Sequence, residues 1–105
     1  MAQLVGRDVM TLLPSEHPSE LPSDQTPLYH HALPQLEAWL RELGAHQQST
    51  HSCRWDLHRP QWSALLELEV EELKVSWHQE GRQSVRHFPY GLSRADMEAA
   101  ILAGP

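Results

Sequence analysis

Apolar and polar residues alternate from Trp62 to Val70, and they alternate again in the opposite parity from Leu73 to Trp77. Period two marks a half-buried strand, because successive side chains point to opposite faces of a sheet. The change of parity at Glu71-Glu72 predicts a tight hairpin with those two residues in the turn. Val70 then faces Leu73, Leu68 faces Val75 and Leu66 faces Trp77, with every apolar side chain on one face. The opposite face sets Glu67 across from Ser76 and Glu69 across from Lys74. The pattern thus predicts a sheet with one greasy side and one wet, acidic side.

The same reading extends along the chain. Residues 1–26 carry Pro14, Pro18 and Pro22 among Ser, Glu and Asp, a composition that buries too little apolar surface to offset chain entropy. They are expected to form a weakly ordered tail, with a short helix possible over Met1 to Leu13. A single domain is expected over 27–105. Leu33, Leu36, Leu40 and Leu43 follow helical spacing, Pro34 suits a first turn and Gly44 a left-handed helix end. A helix is therefore predicted over about 33–43. Residues 45–51 read as a loop.

Cys53, Trp55 and Leu57 alternate with Arg54, Asp56 and His58 in a first strand, which Arg59-Pro60 breaks. A tight connection there sets Leu57 across from Trp62 and Trp55 across from Ala64. The third strand runs to about Gln79, and Glu80-Gly81-Arg82 turns the chain. A fourth strand over about Gln83 to Phe88 carries a parity conflict between Val85 and Phe88, which predicts a bulge near His87. Ser93 suits an N-cap, Asp96 the first helical turn, and Leu92 with Met97 a hydrophobic staple. Met97, Ala100 and Ile101 give that last helix its buried stripe before Gly104-Pro105. The expected fold class is α+β: an antiparallel meander of three to four strands with two helices on one face.

Charge narrows the function classes. The 105 residues include 14 acidic and 8 basic side chains, for a net charge of -6, and Lys74 is the only lysine. That balance argues against phosphate backbones and anionic membranes as partners. The 8 histidines would add positive charge in acid. Cys53 is the only cysteine, so no internal disulfide can form and a reducing cytoplasm is expected. No apolar run approaches the roughly 20 residues that span a bilayer, and no secretory leader pattern opens the chain.

Candidate chemistry is sparse. His51-x-Cys53 could offer two metal ligands, yet no second pair accompanies it, and the parity of Cys53 predicts a small buried hydrophobe. No metal, cofactor or catalytic residue is expected. Glu67, Glu69, Glu71 and Glu72 form the densest charge cluster, which as an alternating run reads as a solvated face. There is no phosphate-binding glycine loop and no Gly-x-Ser-x-Gly. Trp39, Trp55, Trp62 and Trp77 all fall at expected inward positions, with Trp62, beside Arg59-Pro60, the alternative exposed anchor. The residues singled out for partner binding are Tyr29, His30, Arg59, Trp62, Glu67, Glu69 and Glu71.

The run from Pro27-Leu28-Tyr29-His30 through Leu33-Pro34, Glu37-Ala38-Trp39-Leu40 and Leu43-Gly44 resembles a small uncharacterised family of cyanobacterial proteins, a domain of unknown function. Arg59-Pro60-x-Trp62, Val70-Glu71-Glu72-Leu73, Phe88-x-Tyr90-x-Leu92-Ser93-Arg94 and Gly104-Pro105 match its pattern as well. The likeness covers about 27–105, and His31-Ala32 departs from it where many members carry proline. It implies a cyanobacterial source and a cytoplasmic setting, with no activity to carry over.

The leading expectation is a non-enzymatic protein-interaction module, an assembly factor or chaperone for photosynthetic or carboxysome machinery. A protein partner, no nucleic acid and no membrane span are expected. One rival is a nucleic-acid binder, since helix, three strands, helix is also the order of double-stranded-RNA-binding domains. The other is a small enzyme using Cys53 or the acidic sheet face.

Overall fold

A computed structural model describes residues 21–105. The 3-10 turn Leu28–His30 leads into α1 (Leu33–Glu42), followed by β1 (His46–Gln47), β2 (Arg54–His58), β3 (Ser63–Leu68), β4 (Glu72–Gln79), β5 (Arg82–Pro89) and α2 (Arg94–Ala103). The strands form one antiparallel sheet in the order β1-β2-β3-β4-β5. The α+β meander is therefore present, with five strands instead of three or four. The extra strand, β1, is a two-residue piece inside the stretch read as a loop, pairing His46 with Asp56 and Gln47 with Trp55.

Both turns of the central hairpins sit one residue away from their expected places. Leu68 pairs with Leu73 and Leu66 with Val75, and the Glu69 amide donates to the Glu72 carbonyl at 3.0 Å. Val70 and Glu71 thus form the turn, not Glu71 and Glu72. Leu57 likewise pairs with Ala64 and Trp55 with Leu66, and the Arg59 amide donates to the Trp62 carbonyl at 2.8 Å. Moving a turn centre by one residue changes each cross-strand partner by two, so face parity survives. The consequence is local: Val70 leaves the greasy face and stands 95% exposed at the turn.

The greasy face is built as the parity predicts. Trp55, Leu57, Ala64, Leu66, Leu73, Val75, Trp77 and Phe88 are buried there, under Leu36, Trp39, Leu40 and Leu43 from α1 with its C-cap and Met97 and Ile101 from α2. Three of the four tryptophans are core residues; Trp62 is half-buried. Leu33, expected in the helix stripe, is 57% exposed. Gly44 has φ +98°, and the Ala45 amide reaches back to the Leu40 carbonyl, closing α1 with a Schellman motif. Ser93 caps α2 by accepting from the Asp96 amide at 3.1 Å.

The outer face is mixed in charge, which corrects the acidic face expected. Arg54, Glu67, Lys74 and His87 lie side by side across four strands. The Glu67 carboxylate sits 3.2 Å from Arg54 and 3.8 Å from Lys74. Glu69 and Glu71 belong to the turn. The ladder of β5 runs unbroken from Arg82 to Pro89, so there is no bulge. Val85 simply lies on the outer face, 42% exposed. Cys53 is exposed instead of buried.

The expectations for residues 1–20, including the short helix, lie outside the described residues. Residues 21–26, counted with the tail, run along the start of α2. There Arg94 donates to the Pro22 carbonyl at 2.9 Å, and the Ala95 amide to the Asp24 carbonyl at 2.7 Å.

Candidate functional site

Large apolar side chains in water are informative when they cluster. Among the described residues, the exposed large hydrophobics are Tyr29, Leu33, Val70, Val85 and Leu102. The first three line a single cleft of about 310 Å³, together with Leu28, His31, Leu36, Leu68, Glu69 and Tyr90.

Three elements meet to form it. The Leu28 and Tyr29 amides donate to the Leu92 and Tyr90 carbonyls, each at 3.0 Å, which fixes the lead-in beside the end of β5. The first residue of α1, Leu33, then stands on one lip. The β3–β4 turn brings Val70 to the cleft from the sheet. The Tyr90 hydroxyl donates to the Glu69 carbonyl at 2.6 Å and ties the turn to the β5 end. Burial, reinforced by Glu69, Cys53 and Glu72, pushes the Tyr90 phenol up to about 12, so it remains a donor at neutral pH.

His31 lies in the cleft wall with only 7% of its surface exposed. Its Nδ1 is 3.2 Å from the Pro27 carbonyl, which can only accept. Nδ1 therefore carries the proton and Nε2 the lone pair. Nε2 is buried without a hydrogen-bond partner. Burial is the main cause holding the His31 pKa below its ordinary value, with Arg94 and His30 acting in the same direction.

The residues singled out in the sequence fall in separate places. Tyr29 and Glu69 line the cleft, and the His30 ring lies against Tyr29 at a tilt of 50°, with centroids 4.3 Å apart. Glu71 flanks Val70 in the turn. Glu67 lies on the outer face between its two cations. Arg59 and Trp62 line a different concavity of about 300 Å³ with Pro60, Gln61 and Leu102. There Arg59 donates to the Leu43 carbonyl at 3.0 Å. A Cβ at Gly104 would lie 2.7 Å from Trp62 Nε1, so the chain end packs closely on that indole.

Sequence reasoning did not assign Leu33, Val70 or Tyr90 to a site, and it weighed His30-His31 as a pH-sensitive contact or ligand site but preferred a plain helix lead-in. The alternation that turns Leu68 inward applies equally to Val70, and Leu33 fits the helical stripe, so the sequence carried no signal that either would stand exposed. It also missed a pairing at the turn: His87 Nδ1 lies 2.7 Å from Glu72 Oε2. With Glu69, these groups place ligand-type atoms within 4.8 Å of one another. They are the described residues that could jointly hold a cation, and a direct Glu72–His87 contact already explains how two of the three come together.

Residues 43–104 match the family described as a protein of unknown function, DUF3143. The chain belongs to this family. The DUF3143 match takes in the sheet and α2, and with them the Leu68, Glu69, Val70 and Tyr90 side of the cleft; Tyr29, His31 and Leu33 stand before it. No curated protein and no solved structure matches the chain. Among the described residues, no helix is long and apolar enough to cross a membrane.

Proposed function

We propose that this protein is a non-enzymatic interaction module, an assembly factor or chaperone, that holds a partner protein in the cleft between Tyr29, Leu33 and Val70. One observation carries this reading: three of the five exposed large hydrophobics among the described residues meet in a single concavity. Each Å² of apolar surface left in water forgoes roughly 25 cal/mol, and a partner recovers that. At about 310 Å³ the cleft is at the small end of the roughly 300–1,000 Å³ typical of ligand pockets. That size suits one or two anchoring side chains. The resemblance to cyanobacterial proteins directs the search for the partner to photosynthetic and carboxysome assemblies in the cytoplasm. A duplex-RNA role has less support, because the outer face offers Lys74 as its lysine and sets Glu67 next to it.

Site-specific photocrosslinking in a cyanobacterial lysate tests the reading. A benzophenone side chain at Val70 or Leu33 should give a discrete protein adduct, and one at Gln83 on the outer face should not. Adducts from position 83 alone would move the interaction to the outer face and remove this proposal.

A further inference from the structure

The cleft is apolar inside, and its sheet-side lip is acidic. Val70, the most exposed apolar side chain, has Glu69 before it and Glu71 after it, both exposed. Glu72 opens β4 directly after the turn, close enough to Glu69 for their carboxylate oxygens to share a 4.8 Å cluster. His87 is the basic group that reaches this cluster. On the opposite lip, Tyr29 and Leu33 bring no charge.

We infer that the occupant of the cleft is a basic amphipathic segment of a partner protein, with an apolar anchor seated among Tyr29, Leu33 and Val70 and a neighbouring lysine or arginine facing Glu69 and Glu71. This rests on the cleft being the interaction site. Charge complementarity selects this occupant over the alternatives. An acidic segment would meet like charge at Glu69, Glu71 and Glu72, which penalises wrong partners and slows encounter. A second copy of this chain is disfavoured by its net charge of -6. The glutamates are exposed, so their contribution is to selection and association rate and falls as salt rises. Apolar seating supplies the affinity that remains.

The test uses the full chain and three labelled helical peptides of about 14 residues each, with one face apolar at 3–4 residue spacing. One carries leucine and lysine, one leucine and glutamate, and one serine and lysine. Fluorescence polarisation at low and at physiological salt reads binding. The leucine–lysine peptide should bind at least about tenfold more tightly than either of the others, and its affinity should fall with salt. Val70→Ser and the double change Glu69→Gln with Glu71→Gln should each weaken it, while Val85→Ser on the outer face should not. Equal or tighter binding of the leucine–glutamate peptide overturns the inference. So does loss of binding in Val85→Ser with Val70→Ser unaffected. Sedimentation showing self-association that Val70→Ser abolishes would assign the cleft to a second copy and overturn it as well. If the peptides fail to discriminate while crosslinks still form from position 70, the charge assignment falls and the cleft stands. Crosslinks from position 83 alone remove both.

Discussion

The Trp39 indole N–H donates to the Glu98 carboxylate at 2.9 Å and joins α1 to α2 across 59 residues of chain. Both helices rest on the same sheet face, and this bond sets their relative position over the core. The indole is almost wholly buried, so its N–H has no easy recourse to water. Glu98→Ala should destabilise the domain by about 1–2 kcal/mol, and Glu98→Gln, which keeps an acceptor, by clearly less. Urea unfolding followed by tryptophan fluorescence measures both. Alanine and glutamine variants as stable as the parent would show that the bond contributes nothing.

The central hairpin makes a contrasting pair of predictions. Leu66 is fully buried mid-strand, between Trp55 and Val75. Leu66→Ala should cost about 2–5 kcal/mol, from lost transfer energy and the cavity left behind. Glu69→Lys, in the exposed turn, should stay within about 0.5 kcal/mol of the parent. Chemical denaturation of the two variants reads the faces directly. A larger loss from Glu69→Lys would mean that the faces are exchanged.

These two positions also mark what the sequence discloses. The inward set of the first three long strands, Trp55, Leu57, Ala64, Leu66, Leu73, Val75 and Trp77, follows from parity alone, since a side chain on the wrong face would bury charge. The turn centres do not follow. Placing the turn at Val70-Glu71 or at Glu71-Glu72 leaves Leu66, Leu68, Leu73, Val75 and Trp77 on the same face, and the two choices differ mainly in whether Val70 is covered. The bulge expected in β5 came from treating Val85 as necessarily buried; one exposed valine costs less than interrupting a ladder. The two-residue β1 carries no periodicity to detect. The cleft was the least legible feature. Its walls come from Tyr29, Leu33, Val70 and Tyr90, and only the meander together with the lead-in brings them together.

His31 gives the domain an acid-sensitive point. Burial favours its neutral ring, so its pKa in the folded state is below the unfolded value of about 6.5. In the window between the two values the unfolded chain binds the extra proton. The stability this group contributes is therefore present above about pH 6.5 and is lost as pH falls through the lowered folded value. His31→Asn keeps a donor toward the Pro27 carbonyl and cannot titrate. Relative to that variant, the parent should lose stability between pH 7 and pH 5 in urea titrations. Parallel pH profiles would show that the ring titrates freely in the folded state.

Each strand of the sheet pairs only with its neighbour in sequence, and this ordering has a kinetic consequence. Joining β2 to β3, β3 to β4 and β4 to β5 closes only short loops, at little entropic cost. The lead-in is different: its contacts from Pro27 to Ser93 and from Leu28 to Leu92 close more than half the chain. Local opening of the native state should begin there. The Leu28 and Tyr29 amides should exchange with deuterium well before those of Leu66 and Val75, and simultaneous exchange of the two groups would refute this order. A molecule opened in this way keeps its sheet but has lost one wall of the cleft. Under the cleft-binding role proposed above, partner binding would then be lost before the fold is.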